Sequence, residues 1–118
     1  MSAAKEAADK AFARGARPHL IDGGKTVDKA STLDAIAEAL SFPDYFGKNL
    51  DALYDCLTDL SWLAPGEHVL IWTGSSLLKE RDPKAYLAIR SVLSDAQRAL
   101  GPSGERTDSR RLTVVLPD

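Results

Sequence analysis

The stretch Phe42-Pro43-Asp44-Tyr45-Phe46-Gly47-Lys48-Asn49-Leu50-Asp51-Ala52-Leu53-Tyr54-Asp55-Cys56-Leu57-Thr58-Asp59-Leu60 changes character in its middle. Up to Gly47 a proline restricts the residue before it and a glycine punctuates, so Tyr45 and Phe46 are expected on a loop. After Gly47, Leu50, Leu53, Leu57 and Leu60 recur at offsets of three, four and three, the spacing of an amphipathic helix. Asn49 is the expected N-cap. At ~100° per residue the leucines and Cys56 share one arc, while Asp51, Asp55 and Thr58 share another roughly 150° away. The helix therefore carries two carboxylates one turn apart, beside a loop that carries a tyrosine.

Outward toward the N-terminus, Ser31 followed by Asp34 imitates a capping box and opens a helix with Leu33, Ile36, Ala37 and Leu40 as its buried stripe. Before it, Arg17-Pro18-His19-Leu20-Ile21 reads as a short strand stopped by the turn Asp22-Gly23-Gly24. Those glycines lack the spacing of a dinucleotide-binding loop and no helix opens directly after them. Ala3 to Arg14 is alanine-rich, with Ala4, Ala8, Ala11 and Phe12 at helical offsets. So short a helix needs docking to be stable in water.

Outward toward the C-terminus, Ala64-Pro65-Gly66 makes a turn, and His68-Val69-Leu70-Ile71-Trp72 is a nearly continuous apolar run. Such a run is expected of a central strand covered on both faces. A helical turn follows over Ser75 to Lys79, and then Asp82 caps a longer helix with Pro83 at its first position, where proline's missing donor costs nothing. Tyr86, Ile89, Leu93, Ala96 and Leu100 form its core face. Gly101 to Arg110 reads as a mobile polar loop, and Leu112-Thr113-Val114-Val115-Leu116 as a last strand. Strands separated by helices argue for an α/β fold, a small parallel sheet packed with helices whose crossovers are right-handed.

The whole chain bounds its function. Its 118 residues, 44% hydrophobic, suit one compact domain with a modest core. A net charge of −2 argues against a broad nucleic-acid footprint. One cysteine permits no internal disulfide and no cysteine-rich zinc site, and no metal or cofactor is expected. No apolar run approaches the ~20 residues of a membrane span, and Lys5, Glu6, Asp9 and Lys10 interrupt the N-terminus where a signal peptide would be apolar. The reading is cytoplasmic.

The run from Pro43 to Thr58 resembles, without a gap, the inhibitory loop and helix of the barstar family, intracellular inhibitors of a secreted ribonuclease. The resemblance extends weakly along most of the chain. It implies a three-stranded parallel sheet with helices packed on it, in a single domain over residues 17–118, with residues 1–16 a helical extension outside the resemblance. It also implies a set of partner-binding residues. Asp55 stands where the family has the aspartate that enters the nuclease's phosphate-binding pocket, engaging arginines and the catalytic histidine in place of RNA phosphate. Asp51 stands for its acidic companion, and Tyr45 for the loop tyrosine that packs on that histidine. Gly47, Asn49, Ala52, Tyr54 and Thr58 occupy further contact positions, and Asp95 that of a distal glutamate. Some positions depart from the pattern. Tyr54 and Leu60 replace tryptophans, Lys48 replaces an acid, and a second cysteine has no counterpart. These bear on which nuclease is bound more than on how.

The residues themselves allow blander roles. Asp51 lies in the first helical turn, where a carboxylate gains from the helix dipole. Asp55 has no such excuse, and with Asp59 it makes a row of three acids at offsets of four, which repel one another by a few tenths of a kcal/mol per pair, roughly. A row of this kind fits a cationic partner. General acid-base catalysis would instead need a pocket that separates two protonation constants, so the chain is read as a non-enzyme. Cys56 falls on the core arc as a small hydrophobe. His19 and His68 each open a strand, where an ordinary edge role is expected. Trp72 is assigned to the core, and Trp62 is left open. The function read here is an intracellular inhibitor, monomeric when free, that blocks the active site of a small secreted ribonuclease; the alternative is an immunity or regulatory module whose partner is not a ribonuclease.

Overall fold

In the computed structural model, residues 3–100 and 110–117 are described. Along the chain lie α1 (Ala3–Ala13), β1 (Arg17–Ile21), a 3-10 turn (Gly23–Lys25), α2 (Lys29–Ala39), α3 (Leu50–Asp59), β2 (Gly66–Trp72), α4 (Ser76–Arg81), α5 (Pro83–Ala99) and β3 (Arg110–Val115). The strands form one parallel sheet in the order β1-β2-β3. β2 is the central strand, as its unbroken apolar run requires. The loop expected over Gly101 to Arg110 lies outside the described residues except for Arg110, which opens β3.

Alternation along β2 splits the interior in two. Leu70 and Trp72 face the main core, where Leu33, Ile36 and Leu40 of α2 and its C-cap meet Leu53 and Leu57 of α3 and Tyr86, Ile89 and Leu93 of α5. The Trp72 indole donates to Thr26 Oγ1 at 3.3 Å, so its one polar atom is satisfied. Val69 and Ile71 point the other way and pack with Ala11 and Ala16. α1 thus covers the second face, with Ala4, Ala7 and Ala8 against it, and its small side chains let the helix approach closely. Phe12, expected on that stripe, is 75% exposed. The alanines turned toward the sheet leave it on the outside.

Two local expectations are corrected. The capping box of α2 is not Ser31 with Asp34. Asp28 is the N-cap, its carboxylate accepting from Ser31 N at 2.8 Å while Ser31 Oγ accepts from Asp28 N at 3.1 Å, and this cap lies three residues before the one that imitated it. Asp82 caps α5 as expected, accepting from Ala85 N at 3.1 Å. The second correction is His68, which is 1% exposed in the middle of the sheet rather than at an edge.

Candidate functional site

α3 starts on a compact polar cap. Asn49 Oδ1 accepts from Ala52 N at 2.7 Å, and Asn49 Nδ2 donates back to Gly47 O at 3.3 Å. A Cβ on Gly47 would lie 3.3 Å from that Nδ2 and 3.6 Å from Ala52 Cβ, so Gly47, Asn49 and Ala52 fit together as one joint. At the other end, Leu60 takes a left-handed φ of 53° and its N–H caps Cys56 O. Leu53, Cys56, Leu57 and Leu60 are buried, which fixes the rotation of the helix and leaves Asp51, Tyr54, Asp55 and Asp59 outside.

The acids of α3 are thus presented together. Asp51, Asp55 and Asp59 follow one another at intervals of four residues on exposed positions, about 6 Å apart along the axis at 1.5 Å per residue. The last turn holds no basic residue, so Asp59 adds charge to the negative pole of the helix. Thr58 is half-buried, and its hydroxyl donates to Tyr54 O at 2.9 Å within the helix. Tyr54 is partly exposed beside Asp55. Cys56, beneath the acids, has its thiol pushed up by burial first and then by Asp59 and Asp55.

The Tyr45 loop leads into this helix. Tyr45 is 71% exposed, yet its phenol is pushed up by lost solvation, then by Asp59 and by Cys56. Phe46 turns inward instead, its ring edge-on to Phe42 with centroids 5.0 Å apart. Phe42 in turn meets Trp62 at 5.8 Å, and the Trp62 indole donates to Leu40 O at 2.9 Å. Trp62 therefore anchors the base of the loop and does not extend the acid face. Lys48 bridges to Asp34 at 3.4 Å, so its charge is partly answered from α2. Asp95 lies on α5, exposed and ion-paired with Arg98.

Among the described residues, three that are not glycine have left-handed backbone: Ser41, Lys48 and Leu60, with φ of 54°, 53° and 53°. Each sits at a joint of the loop and helix, after α2, before α3 and after α3. Such conformations cost of order 1 kcal/mol each or somewhat more, and the surrounding packing must hold them.

The family model described as Barstar (barnase inhibitor) matches residues 16–116. This chain belongs to the barstar family. The matched segment begins after α1 and takes in the sheet, the Tyr45 loop and α3. Over 42 residues the chain is also 48% identical to the Bacillus subtilis (strain 168) protein named "Putative ribonuclease inhibitor YrdF". That alignment covers 36% of this chain and 46% of the relative, so the chain spans less than half the relative's length. The three parallel strands with helices packed on them are the architecture that the barstar resemblance implied.

Sequence reasoning missed two features near the site. The anchoring of Trp62 on Leu40 O joins residues 22 apart, and no local period signals it. His19 and His68 come together across two strands, Nε2 to Nδ1 at 3.0 Å. Their signal was present only as two histidines in two runs that later pair. Among the described residues no three potential metal ligands converge, and no helix is long and apolar enough to cross a membrane.

Proposed function

We propose that this barstar-family protein inhibits a small, basic, secreted ribonuclease by covering its active site with the Tyr45 loop and the acid face of α3. One observation carries the reading. Asp51, Asp55 and Asp59 are held in an exposed row on a helix whose other side is locked into the core, next to an exposed tyrosine on a loop anchored by Phe46 and Trp62. Like charges at this spacing oppose folding, and a cationic partner turns that cost into affinity. In this reading Asp55 takes the place of RNA phosphate with Asp51 beside it, and Tyr45 stacks on the partner. Tyr54 and Thr58 border the contact, while Gly47, Asn49 and Ala52 shape the helix start from which the acids project. Asp95 must exchange Arg98 for a partner's cation to join.

The protein acts in this reading as a stoichiometric blocker in the cytoplasm, monomeric when free, and not as an enzyme. The carboxylates stand in solvent, a setting for recognition rather than for proton transfer in a closed site. α1 and the residues up to 16 form an extension that covers the sheet and takes no part in the contact.

The test is a pull-down and an activity assay with a small basic microbial ribonuclease. We expect one-to-one binding and loss of RNA cleavage, while the protein alone neither cleaves nor binds RNA at moderate salt. Capture of a partner without nuclease activity would move the reading to an immunity or regulatory module.

A further inference from the structure

His19 of β1 and His68 of β2 meet across the two strands, and the hydrogens their contacts require define a charge state. His19 Nε2 lies 3.0 Å from His68 Nδ1, with ring centroids 5.2 Å apart. Each outer nitrogen faces a backbone carbonyl: His19 Nδ1 is 3.1 Å from Ala39 O, and His68 Nε2 is 2.8 Å from Ala64 O. A carbonyl oxygen can only accept, so both outer nitrogens must carry hydrogen. The inner contact needs one more, since two bare ring nitrogens would aim lone pairs at each other. Three hydrogens are one more than two neutral imidazoles hold.

The surroundings set limits on that proton. Burial, the charge of His68 and the charge of Arg17 hold His19 below the ordinary imidazole range, while the hydrogen bond to Ala39 O acts the other way. Ala39 ends α2, so its carbonyl belongs to the negative pole of that helix. Besides Arg17 on β1, β3 contributes Arg110, whose Nε and Nη2 donate to Leu63 O at 3.1 and 2.9 Å. α2 contributes Glu38, exposed beside Ala39, and α3 contributes Asp59, exposed and accepting from Ser61. Glu67 of β2 is engaged by Arg14 and Thr113 on the α1 side of the sheet. A second proton would set two cations about 3 Å apart, with Arg17 adding to the repulsion at reduced dielectric.

We propose that the His19–His68 pair is a one-proton clasp, which when closed holds a single extra proton and ties the end of α2 to the segment after α3. Loss of the proton breaks one of the three contacts. Ala39 O lies where the Tyr45 loop leaves α2, and Ala64 O in the connection after α3 that carries Trp62. Ala39 precedes Leu40, whose carbonyl holds the Trp62 indole, and Ala64 lies two residues beyond Trp62. The clasp therefore loosens or tightens the loop from beneath, whatever the acid face binds.

Long-range proton–nitrogen NMR of the imidazoles in the free protein, from about pH 5 to 9, reads the charge state directly. We expect the two rings to take up one proton together, both following one apparent pKa, with a second uptake only on acid unfolding. The Trp62 indole resonance should move with the same midpoint, and in a folded His68→Phe variant it should lose that dependence. If that variant does not fold, His19→Gln serves the same purpose. Two separate titrations at the ordinary value near 6.5, no uptake before unfolding, or an indole response that survives the substitution would each overturn the proposal.

Discussion

Arg14 and Glu67 meet in a two-pronged ion pair, Nε to Oε1 at 3.0 Å and Nη2 to Oε2 at 2.9 Å, which fastens the end of α1 to the central strand. Thr113 Oγ1 adds a third hydrogen bond to the same carboxylate at 2.6 Å. Together, with Arg14 the largest influence, they lower the Glu67 pKa from 4.5 to about 2.

A depressed carboxylate contributes stability above its unfolded pKa and loses it as pH falls through its folded one. The window for Glu67 therefore runs from about pH 4.5 down to about 2. Because Arg14 is nearly half exposed, solvent screening reduces the effect to about 1–2 kcal/mol. Urea titrations across this range should show Glu67→Gln less stable than the parent at neutral pH and converging on it in acid. A constant difference at all pH values would refute the assignment.

Leu53 has no exposed surface and sits between α3 and the main core. Leu53→Ala should cost about 2–5 kcal/mol by cavity formation. An unchanged denaturation midpoint would mean that the buried and exposed faces of α3 have been interchanged.

At Gly23 the backbone of the 3-10 turn presses on the end of β2. An added Cβ would fall 1.7 Å from Thr73 O and 2.5 Å from the carbonyl carbon of Gly74. Backbone must move to admit it, so Gly23→Ala should cost at least about 2 kcal/mol. Gly24→Ala meets only the Asp22 side chain, at 3.2 Å, and is the milder change. Thermal unfolding of the two variants side by side tests the difference, and equal losses would contradict the close approach.

The acids of α3 separate binding from stability. With the proposed nuclease partner, Asp55→Ala should weaken binding by about 2–5 kcal/mol, mostly in dissociation rate, because buried cations on the partner are left unpaired. Asp59→Ala, at the end of the row, should act on association rate and fade as salt screens it over about 8 Å. Neither should lower the stability of the free protein. Surface-binding kinetics at two salt concentrations will tell, and an Asp55→Ala variant that binds within about threefold of the parent, under ~1 kcal/mol, would rule out the active-site plug.

The strands, the helices and the orientation of α3 were legible in the residues, for local reasons. Period, proline, glycine and cap residues act within a few positions, and Asn49, Asp82 and the run His68 to Trp72 each announced an element that the fold contains. What escaped was decided at a distance. Asp28 caps α2 because Ser31 answers it, and the nearer spacing of Ser31 and Asp34 misled. Phe12 is exposed because the sheet accepts the alanine side of α1. The histidine pair joins positions 49 apart, and no periodicity reaches that far.

The strand order in space repeats the order in the chain. Each strand can therefore be added to the free edge left by the one before, and none has to be threaded between two that have already paired. During synthesis, α3 and its acids leave the ribosome before β2, the strand that carries both cores, and Leu112 of the main core arrives last of all. Parallel pairing over long separations is slow to form, so a nascent chain carries the acids before it has the framework that aligns them. Under the proposed function, recognition is thereby confined to finished molecules.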